Sequence, residues 1–217
     1  MKGNLTAPWV SFVFLSIAYS LVFNPFTKFP YTFIVIIGYI LLSIYWQYGN
    51  LKHLNFKKIG WHEVTVILIV YIILELSADL FIQPLVNKIS NEQPDYSAFL
   101  PIKGNTKLYL KYLAQMWISA AIGEELLFRA YAFVQLKNIF GNNKFIILFL
   151  SSLLFCLPHL YQGIAGIIMT FIFGIAFGIL YMKMQHFWVN VIVHGLTDTL
   201  FLTVCYWGYW DWYNLTW

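Results

Sequence analysis

The sequence predicts an all-α fold, a polytopic membrane helix bundle of about seven transmembrane helices. Three observations carry this prediction. Of the 217 residues, 60% are hydrophobic and only 10% are charged, whereas a soluble domain has about 25% charged residues. Apolar runs close to the roughly 20 residues that a spanning helix needs recur along the chain. The aromatic content of 20% also fits, because Trp and Tyr favour the headgroup zones of a bilayer.

The predicted spans follow one another through short polar connectors. They cover approximately residues 8–23, 30–48, 63–86, 108–137, 144–160, 163–183 and 187–208. The first span is short, and no small-residue cleavage site follows it, so we expect a retained span rather than a cleaved signal peptide. We divide the chain into N-terminal membrane helices with polar connectors (1–104), a membrane core (105–208) and an aromatic interfacial tail (209–217).

The later spans carry packing signals. In the sixth span, small residues recur every fourth position, at Gly166, Thr170, Gly174 and Gly178. They form one smooth ridge on a helix, which lets a neighbouring backbone approach closely. We therefore predict tight packing of the sixth span against another helix. The tail that follows the seventh span is rich in Trp and Tyr, which is typical of an anchor at the membrane interface.

The lysines divide unequally between the two sides of such a bundle. With seven spans, the N-terminus and the even-numbered connectors share a side, whose lysines are Lys2, Lys52, Lys57, Lys58, Lys137, Lys144 and Lys183. The other side holds Lys28, Lys88, Lys103, Lys107 and Lys111. This bias favours a cytoplasmic N-terminus. The net charge of +4 is spread thinly, so we expect contact with anionic lipid and no binding of nucleic acid.

Ionisable side chains inside the predicted spans are the strongest functional signal, because each costs at least about 2.5 kcal/mol at bilayer depth. They are Glu75, Asp79, Glu124, Glu125, Arg129, His159, His194 and Asp198. At 1.5 Å of rise per residue, Glu124, His159 and Asp198 lie at depths of roughly 20 Å from the same side. Three helices thus place polar groups in overlapping layers, where they can line one cavity.

Helical spacing assigns partners to these groups. Glu125 and Arg129 are four residues apart, so they share a helix face and can neutralise each other. Glu124 points elsewhere and is left to handle a proton, and two carboxyl groups in different environments are a usual acid–base arrangement. His159 follows Pro158, whose kink suggests a cavity lining. The pattern predicts hydrolysis by an activated water inside a membrane.

These residues also resemble a known family. The resemblance rests on three motifs, Glu124-Glu125-x-x-x-Arg129, Phe155-x-x-x-His159 and His194-x-x-x-Asp198. They resemble the motifs of the CPBP family, also called the Abi family, which contains CAAX proteases and bacteriocin-processing enzymes. Their order matches and they extend over about residues 105–205, whereas the first hundred residues carry no part of the resemblance.

The resemblance implies an intramembrane endopeptidase with a multi-pass core. By carry-over, Glu124 and His159 would activate the water, and Glu125 and Arg129 would organise the site. The third motif would stabilise the oxyanion.

In the third motif, the family's prenyl endopeptidases have asparagine where this chain has Asp198. An ionised aspartate cannot donate a hydrogen bond to an oxyanion. We therefore expect Asp198 to orient His194 instead.

A metal site is the main mechanistic alternative. Glu124, His159 and His194 would make a zinc set of two histidines and one carboxylate, but an H-E-x-x-H helix is missing, because Val66 stands where His62-Glu63 would need a second histidine. We favour a mechanism without a cofactor over a zinc-dependent one.

Other function classes also stay open. The chain could be a non-enzymatic immunity protein or a signalling partner of a membrane sensor kinase or transporter. It could also be a proton-coupled carrier, although it shows no paired repeats. A protease would take a peptide or protein substrate from the membrane, such as a bacteriocin precursor. The small, lysine-rich chain suggests the bacterial cytoplasmic membrane, where the protein would be multi-pass.

Overall fold

The computed structural model describes residues 5–28 and 30–216, which form helices and no strand. Residues 1–4, Phe29 and Trp217 lie outside the described part, and with them Lys2 and the end of the predicted tail. The helices are α1 (Pro8–Ser20), α2 (Tyr31–Tyr48), α3 (Trp61–Ser77), α4 (Gln83–Ser90), α5 (Thr106–Gln115), α6 (Ala132–Phe140), α7 (Lys144–Cys156), α8 (Gly163–Met184) and α9 (Phe187–Trp207). The all-α prediction is confirmed.

Membrane-length helices dominate the described chain. Four helical runs are long and apolar enough to cross a bilayer, Tyr31–Tyr48, Trp61–Ser90, Lys144–Met184 and Phe187–Trp207, and Pro8–Phe23 is a shorter apolar helix. The protein is therefore a polytopic membrane bundle, as the composition predicts.

The run Lys144–Met184 is a hairpin rather than one span. Pro158 lies in a 3₁₀ segment, Leu157–Gln162, and Gly163 has a φ of 78° that favours glycine. Here the chain reverses, and α7 packs along α8. A Cβ on Gly174 would lie 3.1 Å from Cα of Ser152, so the small-residue face of α8 allows the close approach that the sequence predicts.

The helix that carries Glu124 and Arg129 occupies the centre of the bundle. Between α5 and α6 the backbone is π-helical from Met116 to Tyr131, and we call these 16 residues the central segment. It packs against α2 on one side and α9 on the other. Eleven of its residues are buried. Glu125 and Arg129 are among them and therefore face protein rather than lipid, as intramembrane charges must.

The connectors collect at two opposite ends. At one end, Phe187 N donates to the carbonyl of Asn55 (3.1 Å), and His186 Nε2 lies 3.2 Å from the carbonyl of Lys58. At the other end, Gly104 N donates to the carbonyl of Tyr206 (2.9 Å). The second and sixth connectors of the sequence analysis therefore do share a side.

The tail folds over the second end. Its 3₁₀ turn spans Trp210–Asn214, and Asn87 Nδ2 donates to the carbonyls of Tyr213 and Leu215, both at 2.9 Å. Tyr213 is buried, so part of the predicted interfacial anchor serves as a cover over the bundle.

Candidate active site

One cavity of about 470 Å³ brings together side chains of the three motifs. The central segment contributes Glu124, the turn between α7 and α8 contributes His159, and α9 contributes His194 and Asp198. Aromatic rings supply much of the remaining wall. The convergence expected from helical depth is therefore present in the structure.

Glu125 lies behind this wall and is fully buried. Its Oε1 accepts a hydrogen bond from Nδ1 of His194 (2.9 Å) and lies 3.4 Å from Nη1 of Arg129. Its Oε2 accepts from Nδ2 of Asn190 (3.0 Å). One carboxylate thus connects the first and third motifs, and the ion pair expected from the four-residue spacing is present.

Arg129 is held by rings as well as by charge. Its guanidinium carbon lies 4.0 Å from the centre of the Phe155 ring and 5.4 Å from that of Phe177. Among the described residues, no acceptor meets its guanidinium nitrogens at hydrogen-bonding geometry. A buried cation over an aromatic face gains cation–π attraction. This contact gives the phenylalanine of the second motif, Phe155, a role in holding Arg129.

The backbone selects the tautomer of His159. Its Nδ1 lies 3.0 Å from the carbonyl oxygen of Phe155. A carbonyl only accepts hydrogen bonds, so Nδ1 carries the proton and Nε2 is the basic nitrogen of the neutral ring. The 3₁₀ turn at Pro158 brings this ring to the cavity wall. His159 can therefore accept a proton, or a hydrogen bond from water, through Nε2.

His194 is oriented differently from our expectation. Glu125 makes the hydrogen bond to Nδ1, whereas Oδ2 of Asp198 lies 3.7 Å from Nε2, beyond hydrogen-bonding distance. The Phe177 ring stacks on the imidazole with 4.8 Å between centres. Glu125 and Phe177 thus fix the ring plane, and Nε2 is the nitrogen on the cavity side, near Asp198.

Glu124 differs from Glu125 in having no hydrogen-bond partner among the described residues. Its side chain is half-buried and lines the cavity. The two adjacent carboxyl groups therefore have separate environments, one fixed by three partners and one open to the cavity. This separation is what the sequence analysis predicts from their helix angles.

The sequence analysis missed one contributor, Asn190, and left Glu75 and Asp79 without a role. Asn190 is fully buried and fixes Glu125; it precedes His194 by four residues, and this spacing was the available signal. Glu75 and Asp79, which the sequence left without a role, line the same cavity from the α3–α4 run.

The geometry does not favour the zinc set. Among the described residues, no three His, Cys, Asp or Glu side chains lie close enough together to bind one metal ion. We therefore derive no step through a metal.

Comparison with known proteins identifies one family. Residues 106–200 match the Rce1-like family model, described as type II CAAX prenyl endopeptidase Rce1-like. No curated protein and no solved structure matches the chain. All three motifs lie within this matched segment, so the match agrees with their resemblance to the CAAX proteases.

Proposed function

We propose, from the Rce1-like character of residues 106–200, that this protein is an intramembrane endopeptidase that uses a water activated by Glu124 and His159. One observation carries the proposal: the unbonded carboxyl group of Glu124 and the imidazole of His159, with its basic Nε2, line the same cavity. A general base must reach the proton that it removes, directly or through one water. In the proposed mechanism, one water in this cavity meets both groups.

The proposed reaction has two steps. Glu124 takes a proton from the water while the water oxygen attacks the carbonyl carbon of the scissile bond, with His159 Nε2 accepting the second hydrogen bond of the water. The resulting tetrahedral oxyanion collapses, the carbon–nitrogen bond breaks, and Glu124 passes its proton to the leaving amine. The same carboxyl group thus acts first as base and then as acid.

His194 is the proposed oxyanion donor. When Nδ1–H bonds to the Glu125 carboxylate, a second proton on Nε2 gives an imidazolium whose charge Glu125 balances. The Nε2–H can then donate to the oxyanion, where a fixed donor contributes most to the rate. We assign Asp198, 3.7 Å from this nitrogen, to stabilising the positive charge of the imidazolium. An Asp198→Asn variant with full activity would show that its charge is unnecessary.

The substrate is proposed to be a peptide or protein segment that enters from the membrane. Ten Phe and Tyr side chains line the cavity, and it lies among membrane-length helices. Such walls suit an apolar segment of a bacteriocin or pheromone precursor, or a lipidated C-terminus. The proposed location is a bacterial cytoplasmic membrane.

Comparative peptidomics of cells with wild-type protein and with Glu124→Ala tests the activity. We expect peptides that are produced only by the wild type, and their ends identify the cleaved bond. Glu63→Ala is the matched control, because Glu63 is an acid at the start of α3, outside the cavity. Identical peptidomes at equal protein levels, together with an unchanged cellular phenotype, would indicate a non-enzymatic partner instead.

Metal analysis of the purified protein tests the choice of a metal-free reaction. We expect cleavage to survive chelator treatment at unchanged rate. Stoichiometric zinc together with chelator-sensitive cleavage would overturn the glutamate mechanism in favour of the zinc-dependent alternative.

A further inference from the structure

A second cavity lies on the other face of the helix that runs from the central segment into α6. It has a volume of about 620 Å³ and lies where the ends of α2, α6 and α8 meet the start of α7. Ala130 and Phe133, one and four residues after Arg129, form part of its wall. None of its residues lines the cavity with Glu124. We call this second cavity the basic pocket.

Positive charge converges on the basic pocket from separate parts of the chain. Lys52 comes from the 3₁₀ turn after α2, Lys137 from α6 and Lys144 from α7, and His53 lies beside them. Among the described residues that line it, none is Asp or Glu. Three ammonium groups around one cavity without a carboxylate leave a site that attracts an anion.

The neutral residues of the pocket form a fixed frame. Asn138 Nδ2 donates to the hydroxyl of Tyr48 (2.8 Å), and Asn55 Nδ2 donates to the hydroxyl of Tyr181 (2.9 Å). The Tyr181 ring packs edge-on against Phe133, 5.3 Å between centres. These contacts keep the cavity walls in place independently of the lysine side chains, which are exposed and can turn toward a ligand.

The pocket also lies at the level expected for lipid headgroups. Trp46, Trp61 and Trp188 are exposed at this end of the bundle, where tryptophan rings mark the membrane interface. Among the described residues, this end carries one carboxylate outside the spans, that of Glu63, and six lysines: Lys52, Lys57, Lys58, Lys137, Lys144 and Lys183. An excess of lysine is typical of the cytoplasmic face, whose leaflet is rich in anionic lipid.

We propose that the basic pocket binds a phosphate group, supplied by an anionic phospholipid or by a free phosphate. Pockets of this kind between membrane helices bind phosphorylated headgroups. Lys52, Lys137 and Lys144 neutralise the anion, and the aromatic walls of Tyr48, Phe133 and Tyr181 enclose it. The proposal does not depend on the protease assignment.

Binding is tested on the purified full chain in neutral detergent. Native mass spectrometry counts bound dihexanoyl-phosphatidylglycerol, with dihexanoyl-phosphatidylcholine as the zwitterionic comparison, and inorganic phosphate is titrated separately by thermal shift. We expect saturable binding of at least one of the two anions. Binding of phosphatidylglycerol alone identifies a lipid site, and binding of phosphate identifies a site for free phosphate.

A matched pair of triple variants tests the location. Lys52→Gln/Lys137→Gln/Lys144→Gln should weaken binding at least about tenfold, because it removes three positive charges beside the anion. Lys28→Gln/Lys88→Gln/Lys107→Gln removes the same charge from exposed positions at the other end and should leave affinity unchanged.

A triple variant that replaces the three pocket lysines by arginine keeps their charge and should bind as tightly as the wild type. Comparing it with the glutamine variant separates the effect of lost charge from that of lost folding. If neither anion saturates, or if both glutamine variants weaken binding equally, the proposal is overturned. The lysines would then only complement the carbonyl ends of the neighbouring helices.

Discussion

Helix α3 is strongly apolar but mostly exposed at the surface of the bundle, whereas the central segment carries charges but is mostly buried. The most apolar 18-residue stretch of the run that begins with α3 has a mean hydropathy of 2.3, yet only 17% of that stretch is buried inside the protein. The central segment carries three charged residues within six positions, and eleven of its 16 residues are buried. In a bilayer, apolar helices can face lipid, whereas charged ones must find partners in protein. Charge, rather than hydropathy, marks the centre of this bundle.

The two regions also contribute different carboxyl groups to one cavity. Glu124 comes from the central segment and Glu75 from α3. Only Glu124 lies in a family motif and beside the carboxylate that fixes His194. In the proposed mechanism, the central segment does the chemistry, and α3 contributes only to the cavity wall.

The largest expected effect is on cleavage. With the peptide found by peptidomics as substrate, Glu124→Gln should lower kcat by about 10²–10⁴-fold, the usual contribution of a general acid–base group. Glu75→Gln is the isosteric control on α3 and should retain kcat within about tenfold. Comparable losses in both variants would erase the functional distinction between the two regions.

The next effect is on stability. Arg129→Ala should lower the free energy of unfolding by about 3–5 kcal/mol, because it leaves the Glu125 carboxylate buried without its cation. Unfolding in detergent measures it, with Lys111→Ala, an exposed lysine on α5, as the control. The double variant Glu125→Gln/Arg129→Met should lose less than the sum of its single changes, because removing both charges leaves neither unpaired. Additive losses would contradict a coupled pair.

A smaller effect is expected where helices touch through glycine. A Cβ on Gly174 would lie 3.1 Å from Cα of Ser152, whereas a Cβ on Gly38 of α2 would meet nothing within 4 Å. Gly174→Ala should therefore cost about 1–3 kcal/mol through overpacking. The same change at Gly38 should stabilise the protein by about 0.5–1 kcal/mol through helix propensity. Equal signs for the two substitutions, measured by unfolding, would refute the close contact of α7 and α8.

Local spacing predicted the parts of this site that lie on one helix. The pair Glu125–Arg129 and the break at Pro158 follow from residues near each other in sequence, and helical rise placed the three motifs at similar depth. The hydrogen bond from His194 to Glu125 joins residues 69 positions apart. It depends on how α9 is rotated against the central segment. Without that rotation, the sequence could not show that Asn190 fixes Glu125. It also could not show that Glu125, rather than Asp198, makes the hydrogen bond to His194.

The smallest effect is expected on the lipid-facing side of α3. Leu76 is 53% exposed, whereas Leu127 of the central segment is 1% exposed. Leu127→Ala should lower the free energy of unfolding by about 2–5 kcal/mol, because the cavity that it leaves is enclosed by protein. Leu76→Ala should change it by less than about 0.5 kcal/mol, since this exposed side chain lies away from buried contacts. Acyl chains can fill the space that the shorter side chain leaves.

Unfolding of both variants in the same lipid–detergent mixture measures the difference. A loss at Leu76 as large as that at Leu127 would mean that α3 is packed against protein on this face, and that hydropathy alone does not identify the lipid-facing helices here.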